Sequence, residues 1–580
     1  MLLQNLRWHG MSDSNIHQKR IYIIITAVAI LGGIIVIRLF SLQVVNSKRY
    51  QARAEKQYVT PSGNIFDRGN IYFTTKDGTT VAAATVENGF KAAIKPIDVT
   101  DPTQAYAELN AVVPTAQADF LAAAAKKKNP YEEVAVHLNQ QQAHALTADK
   151  IPGLTLYQDK WRYYPGGPLA AKAIGFVSYK DTTLVGSYGL EEYYNDVLSR
   201  NSDNFYVNFF AEIFANIQST LFKNTASTGD VVTSIEPTVQ AQLEQTIAGV
   251  QQKWSSQAVG GIVMDPYTGE IIAMAQVPSF DLNNYGAQTD PGIYSNPMVQ
   301  NVYEMGSIVK PLIMAAAIEN HVVTPATTYD DKGSVVISGK TIYNFDKRGR
   351  GPGTSMQDVL NQSLNTGMIY VEQHMGQAMF KDYLLNKYQF GKKTGIDLPG
   401  EVNGIVSGLN SSNDVNYASA AFGQGVAAAP ISIVRGFALL ANGGYLVTPH
   451  LATAIDKQDG TVKTLEYPKT GPVLQPETLA TMTTMLTHVV DDGYHRAQPR
   501  YTVAAKTGTA QIANPNGGGY YTDRNLHSMI GFFPATHPKY LIYFYNYYPK
   551  NILYSIQTLG DPFFSMVQFL ANYYNIPPDR

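Results

Sequence analysis

The chain contains no cysteine in 580 residues. That absence excludes disulfides, cysteine nucleophiles, iron–sulfur clusters, cysteine zinc sites and a lipid-modified cysteine anchor. Any catalysis has to run on oxygen and nitrogen groups. Eleven histidines are present, but none fall in HExxH or HxH pairs, and no acidic loop of the EF-hand kind occurs, so no metal is expected. Net charge is almost nil, −2 from 44 basic and 46 acidic residues, which leaves no global footprint for nucleic acid. Disorder is excluded as well, because 45% of the residues are hydrophobic and the length suffices for two or three packed domains.

Long apolar runs are scarce, with one exception. Ile21–Ile37 carries no charge, follows Lys19 and Arg20, and precedes Arg38, after which apolar character resumes. Its length predicts a single bilayer crossing over residues 21–45, uncleaved because no small-x-small site follows. Residues 1–20 are then expected in the cytoplasm and the rest outside it, an orientation weakly favoured by the flanking basic residues. Cytosolic cofactors such as NAD and ATP do not suit that compartment, and no cofactor is expected.

Residues 46–235 read as an extended α+β region of short strands, scattered helices and many turns. The lysine-ended stretch Phe120–Lys128 reads as a solvated helix end, and the aromatic segment 205–214 as core or a docking helix. From Glu236 the pattern tightens into an amphipathic helix, then two strand-like runs joined through Asp265, Pro266, Thr268 and Gly269. More strands come late, around 501–512 and 527–548, followed by a helical stretch at Phe563–Tyr573. Strands at both ends of 236–580, with helices between them, predict a mixed α/β domain whose sheet is closed by both chain ends.

The chemistry concentrates at three places. Ser307 and Lys310 lie three apart at the start of a helical run, so they are expected on one face of its first turns. A serine is a poor nucleophile until a neighbour takes its proton, and a lysine does so when burial or another cation lowers its pKa. Ser363 and Asn365 sit between two helical stretches, and Lys506, Thr507, Gly508 and Thr509 lie in an alternating strand. SxxK, SxN and KTG in that order resemble the penicillin-binding proteins and related serine acyltransferases. Other copies compete. Ser202–Asn204 precedes SxxK, Ser411–Asn413 lies beyond a glycine-rich stretch, Lys393–Gly395 runs into IDLPGE, and Lys469–Gly471 is bounded by Pro468 and Pro472. The Gly-rich 423–428 and 333–341 segments mimic nucleotide-binding patterns and read as turns.

Further stretches narrow the resemblance to class B, the monofunctional D,D-transpeptidases. PSGNIFDRG (61–69) looks like their juxtamembrane motif, with Ser62 where arginine is usual. GSYGLEEYYNDVL (186–198), GDVVTSIEPTVQ (229–240), DPYTGEIIAM (265–274) and FGQGVAAAPISI (422–433) also look like that class, and Met305 stands where proline is usual. The segment 319–365 looks more like the division enzymes than the elongation ones.

The resemblance implies an N-terminal transmembrane helix, an α+β pedestal of the dimerisation type (46–235), and a transpeptidase domain (236–580) with a central, mainly antiparallel sheet covered by helices. It implies D-Ala-D-Ala stem peptides as substrate, an acyl-enzyme on Ser307, acylation of that serine by β-lactams, and Lys310 as base kept neutral by Lys506. Ser363 would relay a proton, Asn365 would orient Lys310 and the substrate amide, and Lys506 with the Thr507 and Thr509 hydroxyls beside Gly508 would hold the terminal carboxylate. The N–H groups of Ser307 and Thr509 would form the oxyanion hole. Its implied partners are a SEDS-type membrane glycan polymerase and divisome proteins. Alternatives are an elongation transpeptidase, a D,D-carboxypeptidase, a soluble β-lactamase, which the anchor disfavours, and a β-lactam sensor or non-catalytic division scaffold.

Overall fold

A computed structural model describes residues 31–32, 67–180, 183–200, 228–514 and 517–580. Among these no helix is long and apolar enough to cross a membrane, and Ile21–Ile37 lies outside them apart from Leu31 and Gly32. The aromatic segment 205–214 and Ser202–Asn204 also fall outside. The chain forms two compact units, one containing residues 88–161 and the other residues 67–87 and 162–580. The boundary read from the sequence, 235/236, therefore falls inside the larger unit.

Strands β1 (Ile71–Thr74) and β2 (Thr80–Ile94) open the described chain as an antiparallel hairpin. The second half of β2 belongs to the smaller unit, where it pairs with β3 (Glu132–Leu138) and β4 (Leu154–Tyr163). Helices α1 (Pro102–Val112), α2 (Gln117–Ala125) and α3 (Gln140–Asp149) complete that unit. Asp101 caps α1 ahead of Pro102, and Asn139 and Gln142 form a reciprocal capping box on α3, so both helices start where their first amide groups find side-chain acceptors. Ile94, Leu109, Phe120, Leu138 and Leu146 close its core.

In the larger unit a buried ionic triad ties 67–69 to 186–198. Glu191, on the short helix α4 (Gly189–Tyr193), is fully buried and accepts from Arg68 Nε and Arg162 Nε, both at 2.6 Å. Arg68 also donates to Asn195 Oδ1 (3.0 Å) and to the Glu191 carbonyl (2.7 Å), and Arg162 to the Gly69 carbonyl (2.8 Å). Two segments that sequence reasoning singled out separately thus meet in one charge cluster, with Arg162 of β4 as its third member. Strand β5 (Gly229–Thr233) then runs parallel to β1.

The central sheet begins after α5 (Pro237–Trp254) with β6 (Ala258–Met264) and β7 (Ile271–Val277). Helix α6 (Lys310–Glu319), α7 (Met356–Asn361), α8 (Asn365–Met375) and α9 (Pro430–Ala438) follow. Strands β8 (Ala452–Lys457) and β9 (Val462–Thr464) extend the sheet of β1 through β5, and α10 (Pro476–His488) leads to the last strands. These are β10 (Ala504–Ala513), β11 (Tyr520–Phe533) and β12 (Tyr540–Tyr547), with α11 (Ser555–Tyr573) behind them.

The five-stranded order is β10-β11-β12-β6-β7, antiparallel throughout. Early and late strands meet where β12 pairs with β6, which is the closure by both chain ends that the pattern predicts. Helices α5 and α11 cover one face through Val239, Leu243, Ile247, Leu559 and Phe563. The other face carries the helical layer of α6, α8 and α9, with Leu312, Met314, Met368, Ile431 and Phe437 in its core. Strand β12 is buried on both faces, which is why it reads as the unbroken run LIYFYN rather than as an alternation.

Candidate active site

Ser307 lies in the opening turn of the helical segment, as its spacing from Lys310 predicts, but that turn is not α-helical. Residues Gly306–Val309 form a 3-10 turn and the α-helix starts only at Lys310, with Pro311 in the first-turn position where a missing N–H costs nothing. The turn is pinned from outside. Gly306 N donates to the Gly423 carbonyl at 2.9 Å, and a Cβ on Gly423, whose φ is +83°, would lie 2.2 Å from the Gly306 carbonyl oxygen. The glycine-rich 423–428 segment is therefore a brace for SxxK.

Lys310 is wholly buried. Its Nζ donates to the Ser363 carbonyl (2.6 Å), Asn365 Oδ1 (2.9 Å) and Ser363 Oγ (3.3 Å). None of its bonds is to Ser307 Oγ, so the lysine is anchored on the SxN turn rather than on its own helix. Ser363 takes φ +55°, a left-handed conformation that non-glycine residues rarely hold, and this bends the chain between α7 and α8 so that its carbonyl and hydroxyl both reach Lys310. Asn365 Nδ2 donates to the Tyr343 carbonyl (3.0 Å), which fixes the amide so that its oxygen faces Lys310.

Lys506 enters from the sheet. It too is wholly buried, and its Nζ donates to Ser363 Oγ (3.1 Å) and the Thr507 carbonyl (3.0 Å). Ser363 Oγ is thus the atom shared by the two amines. Burial brings Lys506 down to about 7. Burial first, and the Lys506 charge second, hold Lys310 well below the usual lysine range. Both causes that the sequence reading offers, burial and a second cation, are present, and burial is the larger.

Strand β10 is an edge, and its outward amides face the site. Thr507 N donates to Tyr494 Oη (2.8 Å) on the side away from β11, so the amide of Thr509, two residues on, points out the same way. Thr509 is exposed, and its hydroxyl lies 2.7 Å from Ser555 Oγ at the start of α11. Ser555 Oγ also donates to the Gly508 carbonyl. The remaining KTG copies are spent elsewhere: Thr394 N and Oγ1 donate to Glu401, and Lys469 stands over the Tyr445 ring. Asn413 caps the helix Asp414–Ala420. Among the described residues no cluster of histidine and carboxylates is placed to hold a metal.

Several supporting residues escaped sequence reasoning. Tyr494 and Ser555 belong to no motif and come from elements distant in sequence. Asp331 and Asn344, both buried, form a knot with Thr366: Asp331 accepts from Asn344 Nδ2 (3.0 Å) and Thr366 Oγ1 (2.8 Å), and Asn344 Oδ1 accepts from Thr366 N (3.1 Å). The knot clamps the hairpin Ser334–Tyr343 to the start of α8, next to Asn365.

Residues 259–562 match the model of the penicillin-binding protein transpeptidase domain, and residues 64–233 match that of the penicillin-binding protein dimerisation domain. The chain belongs to the penicillin-binding protein transpeptidase family. Within that family it is 28% identical over 550 residues to penicillin-binding protein PbpB of Mycolicibacterium smegmatis, covering 89% of this chain and 84% of the relative. It is 24% identical over 607 residues to peptidoglycan D,D-transpeptidase FtsI of Buchnera aphidicola, covering 99% of this chain and 100% of that one. Penicillin-binding protein 3 of Mycobacterium tuberculosis, solved in complex with aztreonam, shares the fold with a TM-score of 0.67 at 22% identity, over 89% of this chain and 98% of that one. These relatives place it among class B penicillin-binding proteins of the division type.

Proposed function

We propose that this chain is a septal peptidoglycan D,D-transpeptidase that crosslinks stem peptides through a Ser307 acyl-enzyme. One observation carries the reading: Ser363 Oγ sits between the buried amines of Lys310 (3.3 Å) and Lys506 (3.1 Å), so three separate segments converge on one proton-handling centre. Ser307 Oγ attacks the penultimate D-Ala carbonyl carbon while Lys310, neutral through burial, takes the hydroxyl proton. The C–N bond then breaks, D-alanine leaves with a proton relayed through Ser363, and the rest of the stem stays as an ester on Ser307. An amine of a neighbouring stem attacks that ester, forms the crosslink and frees the serine. The N–H groups of Ser307 and Thr509 face the developing oxyanion. Lys506, with the Thr507 and Thr509 hydroxyls beside Gly508, receives the terminal carboxylate.

Ile21–Ile37 is the single membrane anchor in this reading, residues 46–235 the pedestal and 236–580 the extracytoplasmic catalytic domain. A SEDS-type glycan polymerase and divisome proteins are its partners. Support for these parts comes from the length and apolarity of the segment and from the family resemblance.

The test is acylation by a fluorescent penicillin followed by mass spectrometry of the labelled peptide. The expected outcome is a long-lived adduct on Ser307, absent in Ser307→Ala, together with transfer of the acyl group of a D-Ala-D-Ala donor to an added amine. Rapid turnover of the penicillin would indicate a β-lactamase, and hydrolysis without amine capture a carboxypeptidase. No adduct on folded protein would leave the scaffold reading.

A further inference from the structure

We propose that Tyr494 is a positioning residue for carboxylate recognition, one that fixes the Thr507 hydroxyl as a hydrogen-bond donor toward an anionic ligand. The proposal rests on the transpeptidase reading above and adds to it a residue that no motif marks.

The argument is a count of hydrogens. Tyr494 Oη accepts the Thr507 amide at 2.8 Å and lies 3.0 Å from Thr507 Oγ1. A phenol has one hydrogen to donate. Either oxygen could donate in this pair, but the phenol group is enclosed and has Thr507 Oγ1 as the acceptor within reach among the described residues, whereas the half-buried threonine hydroxyl can turn to a ligand, so we assign the phenol hydrogen to the threonine oxygen. Thr507 keeps its own hydrogen, and no acceptor among the described residues takes it. The hydroxyl therefore presents a donor, next to the Lys506 ammonium that is itself bonded to the Thr507 carbonyl (3.0 Å). A donor beside a cation suits a carboxylate and disfavours an amine or an amide N–H.

The phenol is well placed to hold that polarity. Tyr494 follows the π-helical turn Val489–Gly493, a local irregularity of the kind that gathers at functional sites, and its ring packs against both apolar layers of the unit. Burial pushes its hydroxyl up to about 12, so it stays protonated, and a donor, across the working range of the enzyme. Lys310, Lys506 and Ser363 bond to one another's segments and not to Tyr494.

The experiment compares wild type, Tyr494→Phe, Thr507→Val and the double variant, with benzylpenicillin and its methyl ester as probes. The measured quantity is the second-order rate constant of acylation at Ser307, with melting temperature recorded alongside. Tyr494→Phe is expected to slow acylation by the free acid about tenfold, the cost of an unmet polar partner in a dry site, and to leave the ester rate unchanged. In the Thr507→Val background it should cause no further loss, because the tyrosine acts through that hydroxyl. Equal slowing of acid and ester, or a loss that adds to that of Thr507→Val, overturns the proposal. A wild-type enzyme that is acylated but does not favour the acid over the ester overturns it while sparing the transpeptidase reading. A wild-type enzyme that is not acylated at all takes both down.

Discussion

Lys310→Ala leaves a folded protein whose acylation by penicillin is slower by about three orders of magnitude, within the range expected when a positioned general base is lost. The size follows from the surroundings. Lys310 is the amine held by Ser363 and Asn365 together, and it follows the Gly306–Val309 turn that carries Ser307. The pH profile carries the mechanism. A lysine is a base only when neutral, so the wild-type rate rises with pH through the apparent pKa of the coupled Lys310–Lys506 pair and then levels. Because that pair is depressed, with Lys506 at about 7, the plateau is reached below the usual lysine range. Lys506→Met removes a nearby cation, so the acid limb moves to higher pH. The move is modest, since burial is the larger cause of the Lys310 shift and remains in place. Stopped-flow acylation from pH 5 to 10 measures this, and a Lys310→Ala rate within tenfold of wild type would remove the lysine from the base role.

Glu191→Gln destabilises the protein by about 3–5 kcal/mol, the cost of leaving buried charges unpaired. Both guanidiniums that meet Glu191 are buried, and the carboxylate has no exposed surface through which water could compensate. Urea denaturation gives the number. A loss under about 1 kcal/mol would mean that the two arginines re-pair with neighbouring carbonyls, which already take part of their hydrogen bonds. The sign with pH is fixed as well. Burial alone would raise the Glu191 pKa, but the two guanidiniums and their hydrogen bonds outweigh it and the net shift is downward. Its stabilisation is present above the unfolded value, about 4.3, and is lost as pH falls through the lower folded value. Wild type therefore gains an acid-unfolding step that Glu191→Gln does not show. Acylation per folded molecule stays that of wild type, because the triad joins Arg68, Arg162 and Glu191 and none of them bonds to Lys310, Ser363 or Lys506.

The groups proposed to react were legible because chemistry restricts them to a few residue types at short spacings. Ser307 and Lys310 are three apart, Ser363 and Asn365 two apart, and Lys506 to Thr509 contiguous, so each piece is visible without any fold. What holds these pieces in place was not legible. Tyr494 and Ser555 reach β10 from opposite ends of the unit's C-terminal stretch, and Asp331 and Asn344 reach α8 from a hairpin. Such contacts depend on tertiary approach, and a lone tyrosine or asparagine carries no periodic signal. At Ser307 the helical start expected from the spacing is present, but its first turn, Gly306–Val309, is 3-10 rather than α, a difference that apolar spacing does not encode. The sheet was easier, since β10, β11 and β12 are long, rich in strand-forming residues and separated by clear turns.

Strand β10 has a consequence for solubility. It ends the five-stranded sheet, and a free edge offers a row of amide and carbonyl groups to any passing chain, the usual starting point for aggregation. At residue 507 that row is already occupied, the amide by Tyr494 and the carbonyl by Lys506. The side chains that prepare this edge for a peptide substrate therefore also keep it from sticking to its own kind, and loosening either one uncovers backbone as well as altering chemistry.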